Sequence, residues 1–212
     1  MLTRRAGVEL APHNILVAGV VQGLALVTFP AASAVFTSVS EYDLSSTEYG
    51  GMFVPQAITA IGASLLSAGL TRRLGSKRIY LLGLLANLLA MSLLVLSRFV
   101  MREHALALGL LLVATGCLGV GFGFTVPTIN TLAAAFFPRQ VDKALLGLNA
   151  LLGLGTALAP VFVALFVGLG VWWGLHLIYG ETTVVALTMA ALAVVIVRGL
   201  ANVVAETPHA RM

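Results

Sequence analysis

The chain has 212 residues, 59% of them hydrophobic and 9% charged, with a formal net charge of +4. Soluble domains carry about 25% charged residues, so a water-soluble core is excluded, and a mean hydropathy of +1.03 agrees. The pI of 9.7 raises nucleic acid as a partner, but the cations flank apolar runs instead of forming a polar face, so the expected partner is the lipid bilayer and not nucleic acid.

From the N terminus, Arg4 and Arg5 precede an apolar run too long for a cleavable signal, which reads as a retained first helix. A membrane-spanning helix needs about 20 apolar residues. Six runs meet that length, at about 14–36, 50–71, 78–98, 105–135, 144–170 and 182–202. Only short connections separate them, so the whole of 1–212 reads as one all-α, six-helix transmembrane domain. Six alternating spans place Arg4, Arg5, Arg72, Arg73, Lys77, Arg78, Arg139, Lys143, Arg198 and Arg211 on one side, and Arg98 and Arg102 on the other. Positive charge is retained inside, so both termini are expected in the cytoplasm of a cell (inner) membrane protein. The 37–49 loop agrees, with Glu41, Asp43 and Glu48 and no cation.

Small residues spaced by four mark faces where helices approach closely in lipid. Gly19 and Gly23 form such a face in the first span, and Ala60, Ser64 and Ala68 in the second. Thr115, Gly119 and Gly123 do so in the fourth, and Gly155 and Ala159, followed by Pro160, in the fifth. Close packing is the plain reading, and helix sliding during a conformational cycle is the sharper one. Pro30, Pro55, Pro127 and Pro160 each fall inside a predicted span, where each removes a backbone donor.

Ionisable residues within spans are functional by default, and this chain has almost none there. The polar residues left are Gln22, Gln56 and Asn87, the candidates for contact with a substrate. A lone amide more often bonds a neighbouring helix than a ligand. Asn130 and Asn149 lie nearer helix ends, where they would hold backbone groups. Trp172, Trp173 and Tyr179 read as an interfacial aromatic belt. Cys117 sits in an apolar run, and His13, His104, His176 and His209 are dispersed without metal-ligand spacing. No phosphate-binding or dinucleotide fingerprint is present. No catalysis, metal or cofactor is expected.

The most basic stretch is 68–78, Ala-Gly-Leu-Thr-Arg-Arg-Leu-Gly-Ser-Lys-Arg. It resembles the signature between the second and third helices of the major facilitator superfamily, roughly G-x-L-x-D-R-x-G-R/K-K/R. Leu70, Arg73, Gly75, Lys77 and Arg78 match, with Ala68, just before Gly69, at the first glycine position and Ser76 at a basic one. Arg72 replaces the acidic residue, which in the family is implied to latch two halves together. The segment 45–53 is similar to the start of the family's second helix, 116–127 to its glycine-rich fourth helix, and 153–160 to the G-x-x-x-G-P element of its antiporters, with Ala159 in place of glycine. A fourth-helix arginine linked with proton coupling in the family would fall near Thr115 and is absent.

The resemblance implies a secondary transporter that moves a small solute by alternating access. It covers the family's N-terminal six-helix half, built of two inverted three-helix repeats, with substrate between halves near the midplane. Such a half would pair with a copy of itself or with a separate C-terminal half, or belong to a truncated chain, as the short polar tail 205–212 suggests. The absence of buried carboxylates points to a neutral, amphipathic or apolar solute. A non-transporting membrane scaffold or assembly partner is the alternative, since the basic signature is altered.

Overall fold

The computed structural model describes the backbone of residues 6–168 and the side chains of residues 18–161. Within these bounds the chain is helical throughout, with five segments long and apolar enough to cross a membrane. The predicted sixth span at 182–202 and the aromatic belt at 172–179 lie outside the described residues.

Helix α1 runs Ala6–Ala31 and is followed by the single turn α2, Ser33–Phe36. Pro30 therefore stands at the end of α1 and does not kink its middle. The predicted second span is divided into α3, Ser46–Gly51, and α4, Phe53–Leu74. Ser45 starts α3 with a capping box: its side chain accepts from the Glu48 N–H, and the Glu48 carboxylate accepts from the Ser45 N–H at 2.9 Å. Two orphan donors of the first turn are satisfied in this way. Pro55 falls in the first turn of α4, where its missing N–H costs little. Helix α5, Ser76–Phe99, follows after the single residue Gly75. Gly75 has φ +86°, a left-handed conformation that a side chain would strain, so glycine makes this sharp elbow possible. Helices α6, His104–Phe136, and α7, Val141–Gly168, complete the set; α6 exceeds its predicted bounds by one residue at each end, and α7 begins three residues earlier than predicted.

Helix α6 lies at the centre, packed against both α4 and α5, and α1 packs chiefly against α7. Glycines decide these contacts. A Cβ on Gly119 would strike the Gln56 carbonyl and the Thr59 hydroxyl, and one on Gly123 would lie 2.6 Å from the Ala60 carbonyl. Those two residues lay α4 directly on the backbone of α6. Gly121, about 200° around the axis from Gly119 at 3.6 residues per turn, does the same for α5. Its Cβ would overlap the Asn87 side-chain oxygen. The α1–α7 contact repeats the device, with Gly23 against the Leu152 carbonyl and Gly155 against the Val20 carbonyl. Gly19 packs on Leu148, which is 1% exposed. The expected glycine faces are therefore present.

Two parts of the expected packing are corrected. On α4 the buried small residues are Ala63 and Ser67; Ser64 meets Gly123 with its backbone while its side chain is exposed, and Ala68 is exposed. On α7 Ala159 is buried but Pro160 is exposed, so Pro160 does not lie at a described helix contact.

At the end away from the elbow, the α1–α4 connection folds back as a cap. Phe36, Tyr42, Leu44 and Met52 are buried, and the Phe36 ring meets Tyr42 edge-on at 5.2 Å between centroids. The Ser97 hydroxyl donates to the Leu94 carbonyl at 2.8 Å, so the Tyr42 hydroxyl 2.9 Å away donates to Ser97. The acidic residues of this loop meet the ends of α5 and α6. Glu41 pairs with Arg98 at 3.3 Å, and Glu48 with His104 at 2.8 Å.

Candidate functional site

Between α1, α5 and α6 lies a buried polar node. Gln22 and Asn87, 65 residues apart in the chain, are both fully buried, and the Asn87 Nδ2 donates to the Gln22 Oε1 at 2.7 Å. Asn87 sits over Gly121 of α6, the one residue type that leaves room for its amide there. Three helices are thus tied at one point. The node keeps a donor, Gln22 Nε2, and an acceptor, Asn87 Oδ1, with no protein hydrogen-bond partner. About one turn along the same interface, Thr125 Oγ1 faces Gly83 in the same manner and also has no partner.

The three amides proposed from sequence are only partly brought together. Gln22 and Asn87 meet, whereas Gln56 lies on α4, with its side-chain oxygen buried and unpartnered. The mutual bond accounts for the pair's complete burial, and a solute reaches it only if α1 separates from α5. Asn149 donates to the Leu145 carbonyl at 2.9 Å, the backbone role expected of it.

Thr115 carries a role that the sequence did not suggest. Its hydroxyl lies 2.6 Å from the Met52 carbonyl, where α3 breaks into α4, and 3.0 Å from the Leu112 carbonyl. Thr59 makes the reciprocal bond, donating to the Gly116 carbonyl at 2.8 Å. The position at which the family pattern places an arginine thus holds a helix–helix hydrogen bond. Thr115→Val keeps the shape and removes the donor, so we expect a loss of about 1 kcal/mol of stability, read as a lower melting temperature in detergent.

Among the described residues the buried polar ones are all uncharged: Gln22, Thr28, Ser67, Asn87, Ser97, Thr115, Thr125 and Thr128. Among the described residues no group of His, Cys, Asp and Glu could hold a metal ion. What this interior offers chemically is neutral hydrogen bonding.

Comparison with protein families places residues 15–210, nearly the whole chain, on the Major Facilitator Superfamily model. Comparison with curated proteins and with solved structures gave no match.

Proposed function

This chain belongs to the major facilitator superfamily and is a transporter of that type, and we propose that it moves a neutral small solute by alternating access, paired with a second copy of itself. The uncharged set of buried polar side chains carries the proposal. A charged solute or a proton relay would call for a buried partner of opposite sign or an exchanging carboxylate, since an unpaired charge in lipid is costly. The glycine contacts support motion, because helices touching backbone to backbone have no interlocked side chains to disengage. In this reading α1 swings away from α5, and Gln22 and Asn87 exchange their mutual bond for bonds to the solute, with Gln56 as a further contact.

The second copy is supported by α7. One face of that helix, Gly155 and Ala159, is buried, with Gly155 on α1; the other carries Asn149, Gly153 and Ala157, all exposed. A Cβ on Gly153 would meet nothing within 4 Å. A stripe of small and polar residues suits a helix partner better than lipid tails. By the positive-inside argument, the elbow and both termini face the cytoplasm of a cell membrane.

A second reading, a membrane scaffold without transport, is favoured by one observation: Gln22 and Asn87 bond each other and are fully buried. Reconstitution into liposomes separates the two. We expect saturable uptake of at least one solute from a panel of neutral polyols and carboxamides, insensitive to an imposed potential. We also expect a disulfide-linked dimer from Ala157→Cys. Uptake only of charged solutes, or driven by a proton gradient, overturns the neutral-solute reading. No saturable uptake of any solute, with the dimer present, leaves the scaffold.

A further inference from the structure

We propose that the α4–α5 elbow and the outward stripe of α4 bind one anionic phospholipid, its phosphate held by the guanidinium groups of Arg72, Arg73 and Arg78. Arg72 and Arg73 end α4, and Arg78 lies in the first turn of α5, with only Gly75 between the helices. All three arginines are exposed, and among the described residues no carboxylate pairs with any of them. The contrast with the other end is direct, since Arg98 there has Glu41.

The segment 68–78 contains no acidic residue, and the first turn of α5 has neither an acidic side chain nor a side-chain cap. Lys77 and Arg78 therefore add positive charge at the positive end of a helix dipole, a placement that favours an anion nearby. Arginine forks match phosphate oxygens in geometry as well as charge.

The apolar part of the surface says which anion. Ile58, Ile61 and Leu65 are 65%, 64% and 77% exposed, and they lead along α4 toward Arg72. Ile58, Leu65 and Arg72 are spaced by seven, which keeps them on one side of the helix. From Ile61 to Arg72 is ~16 Å along the axis, about half of the ~30 Å hydrocarbon thickness of a bilayer. Leu74, 39% exposed, adds an apolar side chain within the cationic turn. An acyl chain along the stripe with its phosphate at the elbow satisfies both ends. A free phosphate would use only one.

The test uses the full chain in detergent, with phospholipid retention followed by native mass spectrometry. Phosphatidylglycerol is expected to be retained at about tenfold lower concentration than phosphatidylcholine of the same chains, given the usual surface attraction per cation. Arg72→Gln with Arg73→Gln should abolish that preference, and Arg139→Gln with Lys143→Gln should leave it. Equal retention of the two lipids by the parent chain overturns the proposal. So does an equal loss in both double variants, which would reduce the effect to general surface charge. Glycerol 3-phosphate competing as well as the whole lipid would show a free-anion site and overturn the assignment to lipid. The exposed positions leave folding intact, and an unchanged melting temperature of each variant checks this.

Discussion

Gly23→Ala is expected to lower the melting temperature of the protein sharply, while Gly147→Ala, at an open position on α7, should raise it slightly. The two substitutions add the same methyl group to glycines inside long helices. In an open site that change is favourable by roughly 0.5–1 kcal/mol, because alanine loses less backbone entropy on entering a helix. Gly147 is such a site, with nothing within 4 Å of the new atom. At Gly23 the methyl would fall on the Leu152 carbonyl, with Thr156 N at 2.8 Å and the Gly155 Cα at 2.9 Å. Those are backbone atoms on a neighbouring helix, and no side-chain rotation relieves them. Overpacking of this kind costs about 1–3 kcal/mol, and the upper end applies because α1 must move bodily away from α7. Thermal unfolding followed by helical circular dichroism in detergent reads both signs at once. Equal small effects at the two positions would mean that α1 and α7 do not meet at Gly23 and Gly155.

The order of the first five spans was legible because it depends on length and hydrophobicity alone. Which face of each helix packs was legible only where glycine forces the issue. Gly23, Gly119, Gly123 and Gly155 each mark a real contact, since close backbone approach has few other solutions. Ala60 and Ser64 do meet Gly123 through their backbone, but Ala68 misled for a geometrical reason. Two steps of four residues turn about 80° past two full turns at 3.6 residues per turn. Ala68 has therefore rotated out of the interface, and the spacing Ala60, Ala63, Ser67 holds it. Pro160 failed similarly, one residue and about 100° from the buried Ala159. The start of α3, ahead of the predicted second span, could have been found from Ser45 and Glu48, whose spacing is that of a capping box and marks a helix start. The Gln22–Asn87 bond was not legible. Each amide stands out in an apolar run, but a pairing across 65 residues has no local signature.

The largest consequence of that bond appears when one partner is removed. Gln22→Leu should cost about 1–3 kcal/mol, because Asn87 then keeps a buried amide with no partner in a region that lipid seals from water. Asn87→Leu should cost a similar amount, and more if the added branch presses on Gly121. The double variant should be more stable than the sum of the single losses predicts, since no orphaned amide remains. Interhelical bonds in membranes average only ~0.6 kcal/mol in double-mutant cycles, so most of each single loss is the penalty of the abandoned partner. Melting temperatures of the four proteins give the coupling. Strict additivity would mean that the two amides do not depend on each other. The same four proteins also separate structure from transport. If the node serves only to tie α1 to α5 and α6, the double variant recovers any solute flux along with its stability. If the amides receive the solute, the double variant is folded and inactive, because the donor and acceptor needed in the open state are gone. Flux measured alongside stability in the double variant therefore decides whether this buried pair is a joint between helices or the place where the solute is held.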